Sequence, residues 1–351
     1  MMTGDQSPER LMKIAQTFYT AAILALTLFT ANALAVESIQ PPDHMYDFRW
    51  SLPTEPDRAL SSDQAAQVLR EFDVVFFGEL HTHPGIHLAQ MEILARMHQQ
   101  NPALTLSLEQ FERDTQPLID QYLAGEIGED HLIVKARAWE NYRPTYRALI
   151  EFARAHDLPV LAANAPKQMV VCVGRSGLEI LQLYPPDQRA HVASEVDTAD
   201  GRYRQKFLSF MQHDAAHKAP EGSENARIMQ TMALRGFAAQ ALRDDTMAET
   251  IALHLKANPG RRVLHLNGNF HSSGFLGAVE RLQQRLPDLK IAVIDARTTD
   301  EAVATDPDSP NGTLTISVLP IPDRFVQPEN REQWLQRVME KRMEGRDKCP
   351  D

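Results

Sequence analysis

Four side chains suited to acid–base or metal chemistry stand where apolar runs end. "VVFFGELHTH" (74–83) opens as a buried strand and closes in Glu79 and His81, with His83 and His87 just beyond. "VLHLNGNFHS" (263–272) does the same and closes in His271. Glu109 ends a third apolar run, "LSLEQ". Carboxylates and imidazoles are costly to bury, so runs built for burial that finish in them point to a site. Two of the ends share one pattern, Gly78-Glu79-Leu80-His81 and Gly268-Asn269-Phe270-His271. Each is G-x-x-H between a strand and a helix, which suggests a duplicated unit whose histidines face one cleft. Two carboxylates and two imidazoles suit a divalent metal with an open position, or general acid–base work. The alternative is structural: Glu79 and Glu109 pair with Arg113 or Arg243, and the histidines cap helices. His87, four residues after His83, is a further candidate metal ligand. His213 and His217 have the same spacing in a polar stretch, where a surface role is the plainer reading.

Strands and helices must alternate to hold these groups at one edge. Residues 36–60 are polar and proline-rich and read as a surface arm. A helix is predicted over 62–72, entered through Ser62, then a strand over 73–79. Pro84 permits a helix start, and apolar spacing carries it through 87–100. Strands follow at 103–111 and 158–166, with a helical insertion at about 112–156 between them. "CVGRSGLEIL" (172–181) opens another helix, and 185–247 is a second helix-prone insertion. Strand, turn and helix recur over 261–286, and later strands are expected at 290–296 and 312–320. The expected fold is α/β: a mixed, mostly parallel sheet with duplicated strand-GxxH-helix units and a helical lid insertion. The domain spans 60–322, followed by a charged tail, 323–351. In open sheets of this kind ligands sit outside the carboxyl ends of the strands, where Glu79, Glu109 and both GxxH units fall.

The chain of 351 residues carries a net charge of -11 and no basic stripe, which excludes a nucleic-acid role. Lys13, an apolar core at 21–29 and Ala33-Leu34-Ala35 read as a cleavable signal over 1–35, with Met1 or Met12 as the start. No cysteine follows it to take a lipid, so a periplasmic or secreted protein is expected. The two cysteines, Cys172 and Cys349, could pair in an oxidising compartment. No nucleophile elbow, phosphate loop, dinucleotide fingerprint or H-E-x-x-H motif is present.

"VVFFGELHTHPGIHLAQMEIL", "LSLEQFERDTQPLIDQYLAGE", "YRALIEFARAHDLPVLAANAP", "AAQALRDDTMAETI" and "HLNGNFHSSGF" occur in that order. Together they make roughly residues 60–300 resemble the ChaN-like haem-binding proteins of the Tiki/TraB/erythromycin-esterase superfamily. The resemblance implies an α/β core with haem in or beside the cleft, a homodimer holding haem at its interface, and haem or iron acquisition beside an outer-membrane receptor. Its relatives also imply an alternative, a metal-dependent hydrolase using Glu79, His81, Glu109 and His271. Ferric haem is held by His, Tyr, Met or Cys. Tyr142, Tyr146, Tyr203, His213 and His217 are therefore candidates in the helical insertions, with helix packing the alternative for Tyr142 and Tyr146. Arg143 and Arg147 could meet propionates. Candidate cofactor-binding residues are thus Glu79, His81, Glu109, Arg113, Tyr142, Tyr146, Asp244 and His271. Asp244 reads as a helix cap that supports the site. A cleft assembled at the expense of stability predicts that Glu79→Gln and His271→Ala leave the melting temperature unchanged or raise it.

Overall fold

The computed structural model describes residues 41–214, 224–301, 312–344 and 349–350. The signal-like segment, His217 and the side chain of His213 lie outside the described residues. Eight strands are described: β1 Phe48–Leu52, β2 Glu55–Leu60, β3 Val74–Glu79, β4 Leu104–Glu112, β5 Val160–Asn164, β6 Arg262–Gly268, β7 Ile291–Thr298 and β8 Leu314–Val318. They form one sheet in the order β2-β1-β8-β7-β3-β6-β4-β5. β7, β3, β6, β4 and β5 run parallel, and β8 is parallel to β7. β1 is antiparallel to both β8 and β2. The central strands are apolar on both faces, as a parallel sheet covered by helices on each side requires.

The helices are α1 Ser62–Leu69, α2 Pro84–Gln100, α3 Gln116–Leu123, α4 Glu129–Lys135, α5 Tyr142–Thr145, α6 Arg147–Ala155, α7 Lys167–Ser176, α8 Pro186–Arg189, α9 Arg202–Asp214, α10 Glu224–Ala257, α11 Ala278–Arg285 and α12 Pro328–Glu344. On one face Val75, Phe77, Leu106, Leu264 and Leu266 pack with Ile93 and Leu94 of α2, Tyr142 of α5, Tyr146 between α5 and α6, and Ile150 of α6. On the other, Val74, Phe76, Val263 and Val293 pack with Met247, Ile251 and Leu282 from α10 and α11. Among the described residues no helix is long and apolar enough to cross a membrane.

Three local expectations are corrected. The arm at 36–60 forms a hairpin from Phe48 onward, β1–β2, on the sheet edge. Its proline content disguises it, because an edge strand tolerates the missing donor of Pro56. Ser61, not Ser62, caps α1: its hydroxyl accepts from the Gln64 amide at 3.2 Å, and the Gln64 side chain accepts from the Ser61 amide at 2.8 Å. Ser62 instead donates to Glu92 at 2.5 Å and accepts from the Trp50 indole at 3.1 Å. Cys172 sits inside α7 rather than opening a helix, and it is bonded to Cys349. That bond ties the end of the charged tail to the packing of α7 on α10.

The reciprocal cap gives a direct check. Ser61→Ala should lower unfolding free energy by about 1 kcal/mol in urea melts, with the slope of the transition unchanged; an unaltered midpoint would show that the cap contributes nothing.

Candidate functional site

Alternation along a strand decides where the acids go. Glu79 follows Phe77 onto the face covered by α2, α5 and α6. Glu109 follows Ser107 onto the face covered by α10. The two carboxylates therefore start on opposite sides of the sheet, at the carboxyl ends of strands that flank β6.

Glu79 is sealed from solvent. Its Oε1 accepts from His81 Nδ1 at 2.8 Å, from the Tyr146 hydroxyl at 2.5 Å and from the Gln110 amide at 3.1 Å. Its Oε2 accepts from the Gln90 amide at 2.6 Å. His87 lies behind these, with Nε2 donating to the His81 carbonyl at 2.9 Å and Nδ1 at 2.9 Å from Gln90 Oε1. Burial alone would raise the Glu79 carboxyl, but the His81 hydrogen bond and the charges of His87 and His81 outweigh it and hold it below its ordinary value.

Glu109 accepts from the Gly268 amide at 2.6 Å and lies 3.4 Å from His271 Nε2. The other nitrogen of His271, Nδ1, meets Asp244 Oδ1 at 2.7 Å. Asp244 in turn accepts from the Tyr203 hydroxyl at 2.6 Å. Burial opposes a charge on His271, yet Glu109 and Asp244 on either side raise its pKa to about 10. Glu109 is correspondingly pulled well below the carboxylate range, burial notwithstanding, chiefly by His271.

The two halves meet at Gly268. A Cβ there would fall 2.7 Å from His81 Nε2 and 3.6 Å from Glu109 Oε2. The glycine is thus required by close approach of the His81 ring, which leans over the sheet edge from the Glu79 side toward the Glu109 side. Burial lowers the His81 pKa, but Glu79 and Glu109 more than offset it and raise it. His81 is also the open member, its side chain 44% exposed against 8% for His271. Gly277 is demanded in a second way. Its φ is +62°, and a Cβ would fall 2.5 Å from the His271 carbonyl and 3.1 Å from Asp244 Oδ1.

Glu79, His81, Glu109, His271, His87, Tyr146 and Asp244 are accordingly brought together. The residues expected to hold a divalent metal stand near one another but are spent on each other. Among the described residues no group of three or more His, Cys, Asp or Glu side chains is arranged to hold a metal ion. The reason is geometric: acids and imidazoles alternate and satisfy one another, so their lone pairs do not point to a common vacancy. Arg113 is not at the cluster but clamps α10 through Glu249, Thr250 and the Thr246 carbonyl. Arg243 pairs with neither Glu79 nor Glu109 and donates to Asn164 Oδ1 at 3.2 Å. Asp244 caps nothing; it lies within the 34 residues of α10 and serves His271. Tyr142 is buried among Phe111 and its neighbours. Arg143 and Arg147 are paired with Asp130 and Glu129 on the surface. His83 caps α2, its Nδ1 accepting from the Gly85 amide at 3.2 Å.

Several contributors carried no sequence signal strong enough to single them out: Gln90, Gln110, Asn164, Gln240 and Lys206. Gln240 reaches Tyr203 OH at 3.2 Å and His271 Nδ1 at 3.2 Å. Lys206 of α9 donates to the carbonyls of Phe270 and Ser273, each at 3.1 Å, and holds the turn that carries His271. Burial lowers its pKa to about 8. The one legible hint was Asn164, a polar side chain closing an apolar strand before Pro166.

A family profile described as "Haem-binding uptake, Tiki superfamily, ChaN" matches residues 65–282, more than half of the chain. The chain belongs to this family. Among solved structures, the ChaN of Campylobacter jejuni, described with cofacial haem binding, is 16% identical; it covers 79% of this chain and 98% of its own, with a TM-score of 0.54. That likeness shows the ChaN-type α/β fold. An erythromycin esterase in its open conformation is 12% identical, covering 83% of this chain and 87% of its own, with a TM-score of 0.41. A Bacillus cereus protein is also 12% identical, covering 75% and 73%, with a TM-score of 0.40. These last two likenesses are too slight to bear on function. No curated protein matches the sequence.

Two outcomes follow from the charges. His271 is raised from 6.5 to about 10, so its contribution to stability is full below pH 6.5 and is lost as pH climbs toward about 10. Glu109 is lowered from 4.5, so its contribution is present above that value and is lost in acid. Urea unfolding should therefore show stability falling between pH 6.5 and 10, and Asp244→Asn should flatten that slope; a wild-type protein equally stable at both ends would refute the assignment. The saturation of Glu79 likewise reverses the expectation of relieved strain. Glu79→Gln puts an amide donor among groups that already donate, and should destabilise by roughly 3–5 kcal/mol. An unchanged melting temperature would show the site to be strained after all.

Proposed function

We propose that this is an exported haem-binding protein serving haem or iron uptake, with haem held beside the strand-end cleft and under the helices α9 and α10. The observation that carries the reading is membership of the ChaN haem-binding family across 65–282. Export is supported by the signal-like segment and by the Cys172–Cys349 bond, since disulfides persist in oxidising compartments; a periplasmic or secreted location follows. Cofacial haem binding by the Campylobacter jejuni protein supports two copies meeting around haem. Delivery to an outer-membrane receptor completes the proposal.

The chain's own residues fit a porphyrin. A flat apolar macrocycle needs apolar surface and an axial donor. The end of α9 exposes Phe210 and Met211, and the first turns of α10 expose Ile228, Met229 and Met232. Tyr203, Phe207, Phe237 and Leu276, with Phe270 against them, form an apolar cluster, and the Phe270 ring also meets Phe210. Met211, Met229 and Met232 offer thioethers. His81 offers an imidazole whose Nδ1 is fixed by Glu79, an arrangement that raises the basicity of the other nitrogen. Tyr142 and Tyr146 are fully buried, and the Tyr146 hydroxyl is spent on Glu79, so neither is available without opening the core. Bound haem supplies the iron to be carried. The residues around it exclude water and fix its orientation.

Acid–base hydrolysis is the second reading, supported by the His271 imidazole set between Glu109 and Asp244. One set of measurements separates the two. Titrating hemin into the purified protein should give a saturable Soret shift, weakened when Met229 and Met232 are both changed to Ala. Ester and peptide substrates, assayed with and without chelator, should show no turnover. Absence of any Soret shift, together with turnover lost in His271→Ala, would replace the first reading by the second.

A further inference from the structure

The charges of the cleft are sorted by access. The three acids are sealed: the side chains of Glu79 and Asp244 are 0% exposed and that of Glu109 6%. Their oxygens are occupied by His81, Gln90, Gln110, Tyr146, His271, Tyr203 and the Gly268 amide. What the cleft leaves open is cationic. His81 is half-exposed, and among the described residues its Nε2 has no hydrogen-bond partner. Arg243, partly buried, is a second cation at the strand ends.

Arg243 and Gln240 stand one turn apart on α10 and face the strand ends together. Gln240 reaches His271, while Arg243 Nη1 reaches Asn164 Oδ1 at the end of β5. Asn164 is itself fixed: its Oδ1 accepts from the Ala165 amide at 2.8 Å, and its Nδ2 donates to the Glu109 carbonyl at 3.0 Å. The guanidinium is thereby anchored beside the cluster. Yet among the described residues its hydrogen bond goes to a neutral acceptor, and no carboxylate lies within ion-pair distance of it. Other part-buried guanidiniums of this protein spend more of their donors: Arg113 on Glu249, Thr250 and the Thr246 carbonyl, Arg281 on Asp245 and Glu280, and Arg262 on the Phe72 and Leu69 carbonyls. A planar fork of donors left mostly unused in a partly buried position is matched by a ligand oxyanion, which binds such a fork in two parallel hydrogen bonds.

We infer that Arg243 is the centre of an oxyanion subsite at these strand ends, taking a carboxylate or phosphate group of the ligand. The inference stands without haem, since it rests only on the distribution of charge and access.

The test is calorimetric titration of the full chain with succinate and with inorganic phosphate. Wild type should bind one of them saturably. Arg243→Gln should weaken that binding about ten- to a hundredfold, the loss of one charged hydrogen-bonded pair, with a melting temperature unchanged in the absence of anion. Arg58→Gln, which removes an exposed surface arginine, should bind as wild type does. Should Arg243→Gln fail to fold, Arg243→Lys keeps the charge without the fork and should still bind more weakly than wild type. Hemin and its dimethyl ester then identify the source. If esterification and Arg243→Gln each weaken hemin binding, and together no further, the group is a porphyrin carboxylate. If hemin is indifferent to both while phosphate binding depends on Arg243, the subsite serves a separate phosphorylated ligand. No saturable binding of either anion to wild type, or equal binding to Arg243→Gln, overturns the inference. Failure of hemin itself to bind would remove the haem reading and leave the anion result to decide this one.

Discussion

Everything at the strand ends depends on one requirement, that three carboxylates removed from water be compensated in place. Desolvation of an unpaired buried carboxylate costs several kcal/mol, so Glu79, Glu109 and Asp244 can coexist only because donors converge on each. Two imidazoles do most of this. His271 stands between Glu109 and Asp244, and His81 bridges from Glu79 across Gly268 toward Glu109. The alternation of acid and imidazole turns what would be repulsion between like charges into a chain of attractions. It also ties together the two faces of the sheet, because Glu79 belongs to one side and Glu109 to the other.

The helices are placed by the same requirement. α10 brings Gln240, Arg243 and Asp244 over the strand ends and is locked in rotation by Arg113, which binds Glu249, Thr250 and the Thr246 carbonyl. A second clamp, Arg281 with Asp245 and the Asp197 carbonyl, fixes it against α11 and the segment before α9. α9 then contributes Tyr203 to Asp244 and Lys206 to the turn bearing His271. The apolar part of α9 and the start of α10 extend from this anchored base with Phe210, Met211, Ile228, Met229 and Met232 exposed. A rigid polar base and an exposed apolar extension are thus parts of the same pair of helices.

The sequence made the parallel core legible because its strands are short, apolar and bounded by Gly, Pro or charge, and because two of them end in the same G-x-x-H. Glu79, His81, Glu109 and His271 were readable for the same reason. What misled was chemistry that depends on partners far away in the chain. Asp244 before an apolar stretch looks like a cap, and only the 34-residue length of α10 shows it to be internal. Arg113 and Arg243 looked like counter-ions to the nearest acids, yet their choices were made by Glu249 and Asn164. Tyr146 looked like a haem ligand or a helix-packing residue because nothing local reveals that its hydroxyl ends on Glu79. Gln90 and Gln110 are uncharged and unremarkable in a string of letters, but each supplies a donor that Glu79 needs.

The metal-ligating types in this cluster are spent on one another. A divalent ion needs several lone pairs aimed at one point and ligands that are otherwise unspent. Here His271 has both ring nitrogens engaged by acids, and His87 has both facing a carbonyl and Gln90. Drawing them to an ion would strip donors from Glu109, Asp244 and Glu79 and leave those acids buried without compensation. The cluster's chemistry toward a ligand is left to the groups the pairing does not consume, the outer nitrogen of His81 and the guanidinium of Arg243, both of which are donors or cations and neither of which is an acid.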